Sequence, residues 1–239
     1  MIVLERREGR VLRIAHRGAA TLAPENTLEA FRAAVDVGVD LVEFDVIAGA
    51  GGRLVVAHGL RDVGPATPSL DDALRFFVDE AATIGVHLDL KVTGREREVV
   101  DALRHHELVE RSFVTSAVLG TARAIAALHG PRVGLTIPRR VFRISTDGRS
   151  APLARLGLRT IRRATPLAVG PLLSRTGATL VALHHSLVTP ASVRAAHGRD
   201  AAVVTWTVDD PADLARVAAA GVDAVVTNDP RIFVSTLES

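Results

Sequence analysis

The chain has no cysteine and no tyrosine, and only one tryptophan, one methionine and one lysine among its 239 residues. Without cysteine there is no disulfide and no thiolate metal site, so any metal must rely on oxygen or imidazole ligands. Aromatic residues make up 3% of the sequence, too few to stack the bases of a nucleic acid beside the arginines. No nucleic-acid partner is therefore expected. No apolar run approaches the roughly 18 residues of a membrane span, and the opening MIVLERREGR lacks the apolar core of a secretory signal. The expectation is a cytoplasmic protein with no transmembrane segment.

What is present is a large apolar fraction, 48%, and no linker-like stretch, so a single domain over residues 1–239 is expected. The formal net charge is only +2 although the sequence pI is near 10.2. Almost every base is arginine and there is no tyrosine or cysteine to titrate in between, so a small excess of base moves the pI far. The charge is unevenly spread. Arg139 to Arg175 holds nine arginines against Asp147, a net of +8, which leaves 20 bases and 26 acids elsewhere, a net of −6. Weak contact of this segment with anionic lipid is one reading, and a solvated basic helix is the other.

Strand-like runs alternate with amphipathic helical stretches throughout. The strands are VLRIAH (11–16), LVEFDV (41–46), VHLDLK (86–91), SFVTSA (112–117), RVGLTI (132–137), TLVALHH (179–185), AVVTWTV (202–208) and DAVVTND (223–229). Most are short continuous apolar runs, as parallel strands covered on both faces should be. RLVVAH (53–58) follows strand two across AGAGG and reads as a hairpin extension. In NTLEAFRAAVDVG, Asn26 and Glu29 have capping-box spacing and Gly38 ends the helix. Residues 138–178 are the least regular. Eight strands separated by helices predict an α/β fold, a (β/α)8 TIM barrel. A doubly wound sheet would instead predict a glycine-rich phosphate loop after strand one, and HRGAATLAPEN is not one.

In such barrels chemistry sits at the C-terminal ends of the strands. His16 and Arg17 end strand one. Glu43 and Asp45 on strand two are two residues apart, so both carboxylates face the same side, while Val42, Phe44 and Val46 face the helices. Asp89 and Lys91 repeat the spacing on strand three, and His58 ends the hairpin extension. Trp206 and Asn228 end strands seven and eight. Three carboxylates with no cysteine suit Mg²⁺ or Ca²⁺. Two histidines beside them supply an acid and a base near neutral pH. Arg17 and Lys91 offer cations to an oxyanion such as phosphate. Lys91 is the only lysine, so its place at a strand end suggests a point charge that arginine's fork would not fit. Trp206 could wall a small ligand, or simply pack in the core. His184 and His185 end a strand with no evident acidic partner. His105, His106, His129 and His197 fall on predicted helices and read as solvated, and His87 reads as lying on the stability face.

Taken together, AHRGAATLAPENTLEAF, GVDLVEFDV, LVVAHG, HLDLK and TWTVDDPADLARVAAAGVDAVVTNDP resemble, in order and spacing, the glycerophosphodiester phosphodiesterase family. The resemblance runs from about Ile14 to Pro230 with gaps. It implies a TIM barrel, a small-molecule phosphodiester substrate and a divalent metal. It implies His16 and His58 as the catalytic acid/base pair, Glu43, Asp45 and Asp89 as metal ligands, and Arg17 and Lys91 as phosphate-binding groups. Three departures stand out. Gly59 replaces the acid usual after the second histidine, Asp89 replaces a common glutamate, and the usual insertion after the second histidine is missing. The leading expectation is metal-dependent hydrolysis of glycerophosphodiesters to glycerol 3-phosphate and an alcohol. The alternatives are cleavage of lipid headgroups in the manner of a lysophospholipase D or sphingomyelinase D, and a non-catalytic barrel that binds phosphate ligands.

Overall fold

The computed structural model describes residues 9–137 and 151–236. Its strands are β1 (Leu12–Ala15), β2 (Leu41–Ala48), β3 (Leu54–Val56), β4 (Gly85–Leu90), β5 (Ser112–Ser116), β6 (Arg132–Ile137), β7 (Leu180–His184), β8 (Ala202–Trp206) and β9 (Ala224–Thr227). The helices are α1 (Leu28–Val37), α2 (Leu70–Asp79), α3 (Glu96–His105), α4 (Leu119–Ala127), α5 (Ala151–Thr176), α6 (Pro190–His197) and α7 (Pro211–Ala219). All strands but β3 pair in parallel, and β1 joins both β9 and β2, so the sheet closes into the expected barrel of eight. β3 pairs antiparallel with the end of β2, Val46 opposite Val56, as the hairpin reading required.

The period-two pattern of the strands separates two cores. Val42, Phe44 and Val46 are fully buried between barrel and helices. There Phe31, Phe44, Phe76 and Phe77 pack with ring centroids 5.2–6.0 Å apart, so the scarce aromatics are concentrated between α1, β2 and α2. Inside the barrel, Leu12, Ile14, Leu41, Phe113, Leu180, Val204 and Val226 form a second cluster beneath the mouth. That floor leaves the C-terminal end of the barrel as the place where polar side chains can gather.

Local signals set the helix ends. Gly38 closes α1 with φ 83°, the left-handed conformation that a side chain resists. The N-cap of α1 is Thr27, whose hydroxyl accepts from the Ala30 amide at 3.2 Å. Asn26, the residue whose spacing suggested a capping box, is drawn into the barrel instead. The irregular stretch contains a helix, α5, that runs continuously past Pro166 and Pro171. In the basic segment, Arg139, Arg140, Arg143 and Arg149 lie outside the described residues, while Arg159, Arg163 and Arg175 are exposed on α5. Among the described residues no helix is long and apolar enough to cross a membrane.

Candidate active site at the barrel mouth

Strand register stacks the inward-facing polar residues in two layers. Asp45, Asp89 and Thr115 are neighbours across β2, β4 and β5, and one step deeper lie Glu43, His87 and Phe113. One oxygen from each of Glu43, Asp45 and Asp89 comes within 4.8 Å of the others, a group that could hold a metal ion. The three expected ligands are thus brought together. Burial and the neighbouring Asp45 and Asp89 raise the Glu43 carboxyl well above its ordinary pKa. Burial would also raise Asp45, but Lys91, Arg17 and the Asn26 amide outweigh it and hold Asp45 below the usual carboxylate range.

Cations interleave these acids. Lys91 Nζ lies 3.1 Å from Asp45 Oδ1 and also bonds Asp89. Burial would lower the lysine's pKa, but Asp89 and Asp45 raise it. Arg17 follows β1 with φ 52°, an uncommon conformation that turns its amide onto Glu43 Oε2 at 2.8 Å. Its guanidinium meets Asp45 at 3.0 Å, Glu25 at 2.8 Å and His58 Nδ1 at 2.8 Å. The turn needs Gly18 next, because a Cβ there would stand 2.6 Å from Ala30 of α1. The HRG run is therefore one device that presents His16 and Arg17 over the carboxylates.

The two histidines are held differently. His16 is nearly buried, which lowers its pKa, and its Nε2 lies 3.8 Å from Glu43 Oε2. Its Nδ1 is 2.6 Å from Asn228 Oδ1. Asn228 Nδ2 donates to Asp209 Oδ2 at 2.7 Å, so the amide orientation is fixed with its oxygen toward the ring. His16 must then carry its proton on Nδ1, leaving a bare Nε2 over the site. His58 is half-exposed, with Nδ1 2.8 Å from Arg17 and 3.1 Å from Asp45 Oδ2. A guanidinium only donates, so a neutral His58 bonded to Arg17 keeps its proton on Nε2. A charged His58 instead donates Nδ1–H to Asp45. Each protonation state has a partner.

A cavity of about 690 Å³ opens over this group, lined by His16, Arg17, Glu43, His58, Asp89 and Lys91 on one side. His184, Trp206, Val118 and Ala182 line the other. Trp206 both lines the cavity and packs on the interior cluster, with His184 edge-on to it at 5.4 Å. Gly59 leaves His58 without an adjacent acid in sequence, yet Asp62 Oδ2 lies 3.6 Å from where a Gly59 Cβ would stand. Residues 59–69 alone join His58 to α2, as the missing insertion implied.

Several residues depart from expectation. His87 is not on the stability face: it is buried inside the barrel, stacked on Phe113 at 4.2 Å, and burial lowers its pKa to about 3. Its two-residue spacing from Asp89 was the signal that both face inward. Asn26 clamps Asp45 through both amide atoms, each at 3.1 Å. His185 does have an acidic partner, Asp213 at 3.1 Å. His106 pairs with Asp71 at 2.8 Å; His105, His129 and His197 are exposed, and His197 also meets Asp223 at 2.9 Å.

Comparison with known proteins agrees with this architecture. A glycerophosphodiester phosphodiesterase of Arabidopsis thaliana, GDPD4, is 28% identical over 240 residues, covering 94% of this chain and 72% of its own. The crystal structure of a glycerophosphodiester phosphodiesterase from Parabacteroides distasonis superimposes with a TM-score of 0.73 at 19% identity, covering 95% of this chain and 97% of the other. An Oleispira antarctica phosphodiesterase, solved in complex with the product sn-glycerol-3-phosphate, gives a TM-score of 0.69 at 20% identity, with 95% and 97% covered. The sequence profile of the glycerophosphoryl diester phosphodiesterase family matches residues 16–117 and 138–232. The chain belongs to the glycerophosphoryl diester phosphodiesterase family.

Proposed function

We propose that this single barrel domain hydrolyses glycerophosphodiesters to glycerol 3-phosphate and an alcohol, with a divalent metal held by Glu43, Asp45 and Asp89. The observation that carries the reading is the meeting of three carboxylates, two cations and two histidines of opposite protonation pattern at the barrel mouth, with Glu43, Asp89, Arg17, Lys91, His16 and His58 lining its cavity. The donor set fits Mg²⁺ or Ca²⁺, because all three ligand atoms are hard oxygens. The crowding that drives Glu43 toward its neutral form is what a divalent cation would relieve. Such an ion, when bound, polarises phosphoryl oxygens and makes a nearby hydroxyl more acidic.

The chain's own residues do the rest. His16, with Nε2 bare, removes the proton from the nucleophile. His58, with its proton on Nε2, protonates the leaving alkoxide. Arg17 and Lys91 hold the phosphate oxygens as negative charge builds, and Trp206 walls the organic part of the substrate. The product bound by the Oleispira antarctica relative supports this substrate class.

A second reading, cleavage of lysolipid or sphingolipid headgroups, is favoured by one feature. Leu22, Leu60 and Val118 are exposed on segments that follow strand ends, and Leu119 is exposed at the start of α4; weak contact of the Arg139–Arg175 segment with anionic lipid would add to it. The test is release of glycerol 3-phosphate from glycerophosphocholine and glycerophosphoethanolamine with Mg²⁺, Ca²⁺ or EDTA, for wild type and Glu43→Ala. Metal-dependent release that the variant loses supports the first reading. Choline release from lysophosphatidylcholine alone moves the assignment to lipids, and binding without any turnover leaves a non-catalytic barrel.

A further inference from the structure

Asp89 stands where the family commonly has glutamate and is one methylene shorter, and both its oxygens are engaged. Lys91 bonds Oδ2. Thr115, on the neighbouring strand β5 and 1% exposed, donates its hydroxyl to Oδ1 at 3.2 Å. A hydroxyl has one proton, and the carboxylate can only accept it. Thr115 Oγ1 must therefore accept from His87 Nε2, which lies 2.8 Å away. That fixes the His87 tautomer, with its proton on Nε2 and a bare Nδ1. The bare Nδ1 is buried and, among the described residues, has no hydrogen-bond partner. A buried polar atom left unpaired is a standing cost of the fold, and an apolar side chain stacked on Phe113 would avoid it. Among the described residues the ring's hydrogen bond is to Thr115, which in turn donates to Asp89.

We propose that His87 and Thr115 form a positioning relay, His87 Nε2–H to Thr115 Oγ1–H to Asp89 Oδ1, which holds the short carboxylate at the rotation a divalent cation requires. The proposal rests on the reading of Glu43, Asp45 and Asp89 as metal ligands. Neither relay residue touches substrate; both act through Asp89. Ligating carboxylates depend on such outer hydrogen bonds for orientation. The relay matters more for Mg²⁺ than for Ca²⁺, because Mg²⁺ demands near-ideal octahedral geometry while Ca²⁺ tolerates irregular ligand sets.

The experiment is calorimetric titration of the substrate-free protein with Mg²⁺ and with Ca²⁺, using wild type, Thr115→Val, Thr115→Ser, His87→Phe and Glu43→Ala. Circular dichroism melts would verify folding. Thr115→Val keeps the shape and loses the hydroxyl; Mg²⁺ affinity should fall about 10–100-fold, the range typical of outer-shell partners, and Ca²⁺ affinity by less. Thr115→Ser should restore most of it. His87→Phe, which keeps the stack on Phe113, should show a smaller loss of the same sign, and it carries the test if Thr115→Val fails to fold. Wild-type Mg²⁺ affinity in folded Thr115→Val or His87→Phe, with binding abolished in Glu43→Ala, would overturn the relay alone. Equal losses in the valine and serine variants would also overturn it. A wild type that binds no divalent cation would overturn the metal reading beneath it.

Discussion

The seam between β9 and β1 and the hairpin of β2 and β3 each deliver one histidine to the same cavity, under opposite constraints. His16 is nearly buried at the seam, and the Asp209–Asn228 pair across 2.7 Å permits it a single tautomer. His58 stands half-exposed at the end of the hairpin, where Arg17 accommodates its neutral form and Asp45 its charged form. A base works best when its lone pair is already aimed, and an acid must give up a proton and recover it from solvent. The seam therefore suits the base and the hairpin the acid. The contrast also shows how one strand end serves both, since Arg17, next to His16 in sequence, bonds His58 Nδ1 at 2.8 Å.

The contrast breaks most severely at the seam. His16→Ala should fold and lose activity on the order of 10²–10⁴-fold in kcat, the usual contribution of a positioned base; steady-state kinetics on glycerophosphocholine would measure it. A subtler break is Asp209→Asn, which lets the Asn228 amide turn over and the ring adopt its other tautomer. About tenfold of that 10²–10⁴ should be lost, in kcat rather than KM. Wild-type kcat in this variant would show that the amide is held by other means.

Acid stability sharpens the difference in burial. His87, beneath the seam's layer, has its pKa lowered to about 3 by burial and by the nearby His16 and Lys91. Its unfolded pKa is near 6.5, so below that pH the unfolded chain binds a proton the folded one refuses. Stability is then complete above about pH 6.5 and lost as pH falls toward the folded value, by up to about 1.4 kcal/mol per pH unit. Denaturant melts between pH 7 and 4 should show this slope, and His87→Phe should flatten it. The smallest effect belongs to the far wall. Trp206→Ala should raise KM about fivefold, roughly 1 kcal/mol of binding, with kcat nearly unchanged.

Much of this was legible before any coordinates because barrel chemistry is written locally. The two-residue spacing of Glu43 and Asp45, with Val42, Phe44 and Val46 between and beside them, marks an inward polar face, and the strand ends name the rest. What escaped was whatever depends on closure. Asn228 was visible as a strand end, but its bond to His16 joins residues 212 apart in sequence and exists only because β9 meets β1. Thr115 gave no signal of its own. Asn26 had a cap's spacing, yet Thr27 could serve the helix, which freed Asn26 to clamp Asp45. His87 was misplaced for a different reason. It stands near the start of VHLDLK, which suggests the far end of the barrel, whereas its parity with Asp89 decides its facing. Residues 138–178 read as the least regular stretch, yet α5 runs through Pro166 and Pro171 within it.

The division of labour between seam and hairpin is tested most directly with leaving groups of different acidity. Wild type, His16→Ala and His58→Ala would be assayed with Mg²⁺ on glycerophosphocholine and on a glycerophosphodiester of p-nitrophenol, whose leaving group needs no proton. His58→Ala should be crippled on the choline ester yet close to wild type on the nitrophenyl ester, while His16→Ala should be crippled on both. Equal losses on both esters for His58→Ala, or recovery of His16→Ala on the nitrophenyl ester, would contradict the assignment of base to the seam and acid to the hairpin.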